Sequence, residues 1–93
     1  MNSENSAAVR LLPPDYVLFT DLDGVEGVLV DLNTKQYYQL NETASLIWRG
    51  LAKGTPIAQI AKEITDLYDV TVERAQSSVE TTVSRLVAHR LLK

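Results

Sequence analysis

The chain contains no cysteine, which excludes a disulfide framework, a thiolate nucleophile and a cysteine metal site. It has a single histidine, His89. With no cysteine or second imidazole to join it, the donor set of a transition-metal centre is missing. Long apolar runs are absent as well. None approaches the roughly 20 residues that cross a bilayer as a helix, and the N-terminus lacks the basic start and apolar run of a secretory signal. The expected location is the cytoplasm. Basic excess is also lacking: nine Lys and Arg stand against twelve Asp and Glu, a formal charge of −3. A generic nucleic-acid binder draws its affinity from neutralised phosphates, so this balance argues against one while leaving room for a local basic patch.

What remains is an ordinary globular composition, 45% hydrophobic and 23% charged in 93 residues. That length makes one domain with a modest core. Residues 1–8 are small and polar and read as a disordered tail, leaving residues 9–93 for the domain. Pro13-Pro14 sets up an extended entry. Tyr16 to Thr20 is a first strand, Asp21 to Gly27 an acidic glycine-containing turn, and Gly27 to Leu32 a second strand. Asp31 to Thr34 turns the chain again, with Asn33 the residue most tolerant of positive φ. Lys35 to Leu40 is a third strand, with Gln36, Tyr38 and Leu40 on one face and Lys35, Tyr37 and Gln39 on the other. Connections this short imply an antiparallel meander.

At Asn41 the period changes from two to that of a helix. Asn41 is a good N-cap with Glu42 behind it, and Ala44, Ile47, Trp48 and Leu51 recur at helical spacing. Strand therefore runs into helix without a linker. Gly54 suits the C′ position, and Thr55-Pro56 suits the next start, Thr55 as cap and Pro56 as first helical residue. Ile57, Ile60, Ala61, Ile64, Leu67 and Tyr68 form the stripe of the second helix. Thr71 caps a third, with the stripe Val72, Ala75, Val79, Val83, Leu86 and Val87. Leu91 and Leu92 are expected to pack back onto the core. The fold class is α+β, a three-stranded antiparallel sheet followed by three helices, close to a winged-helix arrangement.

Several local patterns carry chemistry elsewhere. Phe19 to Val25, FTDLDGV, looks like the nucleophile motif of haloacid-dehalogenase-type phosphatases. That chemistry needs Mg²⁺, further ligands and several parallel strands, whereas this chain turns straight into another strand. Asp21, Asp23 and Glu26 suggest a calcium loop, but Leu32 stands where its bidentate glutamate belongs. Asn41-Glu42-Thr43 fits a glycosylation acceptor, but without a secretory signal it is better explained as a helix cap. Arg74, Arg85, Arg90 and Lys93 make the last helix locally basic, as in a DNA-binding winged helix, but the net acidity favours a solvated face balanced by Glu73 and Glu80, or contact with an acidic peptide. His89 sits near a helix end, and no serine, threonine or carboxylate joins it in a recognisable catalytic constellation. No catalytic residue, metal ligand or cofactor site is therefore assigned.

The third strand poses the sharper question. In a three-strand meander it is an edge, so Lys35 to Leu40 offer unpaired backbone groups beside aromatic side chains. Either the last helix and neighbouring loops cover that edge, or it receives an extended peptide as an added strand.

Taken together, GVLVDLNTKQYYQLNETASLIW, the Gly-Thr-Pro helix start and LYDVTVERAQSSVETTVSRLVAHRLL resemble the PqqD-like family. Its members are recognition elements of ribosomally made, post-translationally modified peptide pathways. The resemblance runs from about Val9 to Leu92 and rests on the order and spacing of all these segments. It implies three strands, three helices and no catalysis, with the leader of a precursor peptide added beside the third strand and against the last helix. By position it implicates Lys35, Gln36, Tyr37, Tyr38 and Gln39 on the strand. On the helix it implicates Val79, Thr82, Val83 and Leu86, with Arg85 meeting an acidic leader residue. The DLNTKQYYQLN segment is most similar to lasso-peptide members, which work beside a separate leader peptidase. The alternative within the family is a chaperone for a radical SAM enzyme in pyrroloquinoline quinone biosynthesis. The implied partners are a precursor leader and a maturation enzyme, without nucleic acid or membrane, and the implied state is a monomer or weak dimer.

Overall fold

The structure is a computed structural model that describes residues 11–93; the tail expected over residues 1–8 lies outside them. Three strands, β1 (Val17–Asp21), β2 (Gly27–Asp31) and β3 (Gln36–Leu40), precede three helices, α1 (Glu42–Ala52), α2 (Ile57–Tyr68) and α3 (Val72–Ala88). The sheet is an antiparallel meander in the order β1-β2-β3. The expected architecture is therefore the observed one.

Each turn is held by a carboxylate. Asp31 is buried, and its Oδ1 accepts the N–H groups of Asn33 and Thr34 at 2.9 and 3.2 Å. The backbone N–H of Lys35 then closes onto the Asp31 carbonyl at 2.7 Å. The residue with positive φ is Lys35, at 65°, and not Asn33. The reason is geometric: the Asp31 side chain holds the middle of the loop, so the left-handed step falls at its end, where the chain re-enters the sheet.

β3 passes into α1 at Asn41, whose side chain accepts the Ala44 N–H at 2.9 Å. The buried Ser45 hydroxyl donates to the Leu40 carbonyl at 3.3 Å, tying the strand end to the first helical turn. Gly54 has φ of 81° past the helix end, as its residue type requires. The start of α2 differs from expectation. Pro56 occupies the N-cap position without a side-chain cap bond, and its carbonyl takes the first intrahelical N–H groups, of Gln59 and Ile60. Thr71 caps α3 as expected, accepting the Arg74 N–H at 3.1 Å.

The core lies between the inner sheet face and the helices, built on Leu29, Ile47, Ile60, Val79 and Leu91. Fully burying such a side chain stabilises the fold by about 1.5–3 kcal/mol. Ile57 and Leu67 on α2, and Val72 and Val87 on α3, were expected in the buried stripes but are exposed. Short helices on a small sheet can bury only a narrow stripe, so apolar residues at its margins stay wet.

Candidate functional site

The alternation of hydrogen bonds in an antiparallel sheet decides which backbone groups of β3 are free. At the two ends of the β1–β2 pair, Leu32 N–H bonds the Tyr16 carbonyl at 2.8 Å and Leu22 N–H bonds the Glu26 carbonyl at 3.0 Å. Even-numbered residues of β2 therefore bond toward β1 and odd-numbered ones toward β3. The partners of Leu29, Asp31 and Gly27 on β3 are Tyr38, Gln36 and Leu40. It follows that Tyr37 and Gln39 point their N–H and C=O groups away from the sheet. Among the described residues, neither bonds to another backbone or side chain.

Those groups border a groove of about 570 Å³ between β3 and α3. One wall is Tyr38, Gln39 and Leu40, continued by Asn41 and Thr43. The opposite wall is one face of α3, where Ser78, Thr82, Arg85 and His89 follow at spacings of four, three and four residues. Leu86 and Leu91, both buried, lie at its base. The Tyr38 and His89 rings meet at one end, with centroids 5.2 Å apart and planes tilted by 52°. Asn41, Thr43, Ser77 and Thr81 add amide and hydroxyl groups to its lining. The last helix thus stands beside the edge strand without covering it.

The structure brings Tyr38, Gln39, Thr82, Arg85 and Leu86 together around this groove. The Tyr37 side chain projects from the outer sheet face, 73% exposed, so its contribution at the edge is its backbone. Lys35 and Gln36 are exposed at the turn end of β3 and do not line the groove. Val79 is fully buried and Val83 is half-buried against the core; both support the α3 wall from behind. Sequence reasoning missed Asn41, Thr43, Ser77, Ser78, Thr81 and His89. The available signal was the polar stripe on α3 at helical spacing, beside the apolar one.

Asp21 and Asp23 serve the β1–β2 turn. Asp21 Oδ1 accepts the Gly24 N–H at 2.6 Å, and its other oxygen meets Arg49 at 2.9 Å. Asp23 Oδ1 accepts from Val25 and Glu26 at 2.9 and 2.8 Å. Hydrogen bonding from the Glu26 amide, then from Val25, holds the Asp23 carboxyl below its ordinary pKa. Among the described residues, no three His, Cys, Asp or Glu side chains are grouped to hold a metal ion, and no helix is long and apolar enough to cross a membrane.

Two solved structures share this architecture. One is TbiB1 in complex with the TbiA(beta) leader peptide, 27% identical, with a TM-score of 0.81 over 87% of this chain and 93% of that one. The other is lasso peptide synthetase B1 complexed with the leader peptide, 26% identical, with a TM-score of 0.83 over 91% of this chain and 99% of that one. No curated protein matches the sequence. The family described as coenzyme PQQ synthesis protein D matches residues 26–92, from the second strand through all three helices. A match over most of the chain, on the same strands and helices that build the groove, places the protein in the PqqD family.

Proposed function

We propose that the chain is a non-catalytic recognition domain, residues 9–93, for the leader of a ribosomally made precursor peptide. The leader joins the sheet as a fourth strand at β3 and fills the groove against α3. The observation that carries this reading is the pair of outward-facing backbone units, Tyr37 and Gln39, beside an open groove. Added strands take sequence-tolerant affinity from such groups and selectivity from the pockets beside them. Both solved relatives hold leader peptides. Tyr38, Gln39, Thr82, Arg85 and Leu86 contact the guest, with Lys35 and Gln36 at its turn end.

The domain then raises the precursor's effective concentration at a separate leader peptidase or another maturation enzyme. It works in the cytoplasm, where ribosomal precursors are made, as a monomer or weak dimer, in a lasso-peptide pathway. The family's description favours a second reading, delivery to a radical enzyme in quinone-cofactor synthesis.

Amide exchange followed by NMR tests the site. The probes are synthetic peptides covering the N-terminal halves of short reading frames beside the gene. In the free chain, the Tyr37 and Gln39 amides exchange fast and those of Tyr38 and Leu40 slowly. With a bound leader, Tyr37 and Gln39 become protected. Binding that leaves both unprotected refutes strand addition. A pull-down with the neighbouring peptidase or radical enzyme separates the two pathways.

A further inference from the structure

The stop of α3 departs from the usual pattern at one residue. Arg90 N–H bonds the Val87 carbonyl at 2.9 Å and Leu91 N–H bonds the Leu86 carbonyl at 2.8 Å. These are the two bonds of a Schellman motif with Arg90 at C′. That position is left-handed, and glycine is its usual occupant because a Cβ is penalised there. Here it is an arginine with φ of 61°. The motif is also part of the groove. Leu86 at C3 and Leu91 at C″, the positions that pair in such a motif, are both buried at the groove base. His89, which precedes Arg90, lines the groove against Tyr38.

A strained turn persists where its surroundings hold it. The hold comes from outside the groove: the Tyr16 hydroxyl donates to the Arg90 carbonyl at 2.9 Å. Tyr16 is itself anchored. Its carbonyl accepts the Leu32 N–H at 2.8 Å at the end of the β1–β2 pair. Its ring packs against the core, with the Lys93 ammonium 5.7 Å from the ring centroid. Tyr16 does not line the groove and stands next to β1, the edge strand opposite β3. We propose that Tyr16 is a positioning residue for the peptide groove, its hydroxyl holding Arg90 in the left-handed turn that sets Leu91 and His89 in place. Occupancy at β3 is thereby coupled to the segment entering β1, on the other side of the sheet. This rests on the strand-addition reading above and adds to it a residue that acts without touching the guest.

The test compares two variants of the full chain. Tyr16→Phe keeps the ring and loses the hydroxyl; Thr71→Ala loses one capping bond at the far end of the same helix. Each gives up one hydrogen bond to the backbone, so both should lower the urea midpoint by similar amounts. The first readout needs no ligand. Exchange of the Arg90 and Leu91 amides should speed up about fivefold more in Tyr16→Phe than in Thr71→Ala. The second is affinity, by calorimetry where every variant is folded, for the synthetic peptide that protects the Tyr37 and Gln39 amides. Tyr16→Phe should bind it about fivefold more weakly, and Thr71→Ala as the wild type does. Adding Arg90→Gly to Tyr16→Phe should restore the affinity, because glycine holds the left-handed turn without the hydroxyl. Equal exchange in the two variants, equal affinity, or a loss that Arg90→Gly does not repair overturns this inference alone. If no peptide protects the Tyr37 and Gln39 amides, the strand-addition reading falls and this one with it.

Discussion

At the scale of single residues, carboxylates do structural work that their motifs disguise. Asp23 accepts two backbone N–H bonds in the β1–β2 turn, which favour its charged form and lower its pKa. A carboxyl whose folded pKa is depressed adds stability above its unfolded pKa, and that stability is lost as pH falls through the folded value. Asp23 should therefore titrate below the solvated carboxylates in an NMR pH titration. The Asp23→Asn variant should show a shallower loss of stability on the acid side. Titration together with the free surface carboxylates would contradict this account of the turn. The same reasoning explains why FTDLDGV reads as a nucleophile motif in one dimension. The residues that would attack or ligate are occupied by Gly24, Val25, Glu26 and Arg49.

At the scale of elements, most of the fold was legible because local chemistry and periodicity agreed. Asn41 and Thr71 cap helices, Gly54 ends one, and the meander follows from short turns. What was not legible depended on tertiary geometry. Val79 and Thr82 are both plausible groove residues by spacing, yet one is fully buried and the other lines the groove. A stripe's rotation about its axis is set by what the helix packs on. The outward direction of the Tyr37 and Gln39 backbone likewise needs the register of all three strands. That register depends on Gly27, paired with both Asp21 and Leu40. A Cβ there would collide with the Phe19 ring and lie 2.9 Å from the Thr20 carbonyl. Gly27→Ala should destabilise the chain by about 1–3 kcal/mol in urea unfolding, and unchanged stability would show that the sheet yields there. Tyr38 bridges sheet and helix through the core and His89. Tyr38→Ala should therefore lower stability by roughly 2–3 kcal/mol, less than a fully buried aromatic loses. Val83→Asp would place a charge against the core, so any weaker leader binding by it would follow from lost folding. Thr82 is the cleaner helix-side probe.

At the scale of the whole molecule, recognition and folding share a seam at the chain's C-terminal end. After α3 the chain turns at Arg90, with φ of 61°, and Leu91 N–H bonds the Leu86 carbonyl at 2.8 Å. Lys93 then exchanges both backbone bonds with Leu12, at 2.9 and 3.0 Å, and the Tyr16 hydroxyl donates to the Arg90 carbonyl at 2.9 Å. This clasp drives Leu91 and Leu92 into the core, at 1% and 3% exposure. Only Leu91 also forms the base of the groove. Truncating either leucine to alanine should cost about 2–5 kcal/mol, a large share of the roughly 5–15 kcal/mol that holds a domain together. Both variants should lower the urea midpoint with little change in slope. Their peptide binding should differ when compared at a temperature where both remain folded. Leu91→Ala opens the base of the groove and weakens binding of a leader peptide severalfold, while Leu92→Ala leaves its affinity near that of the wild type. Equal losses in both would mean that binding reads only global stability, and that the groove base contributes nothing of its own.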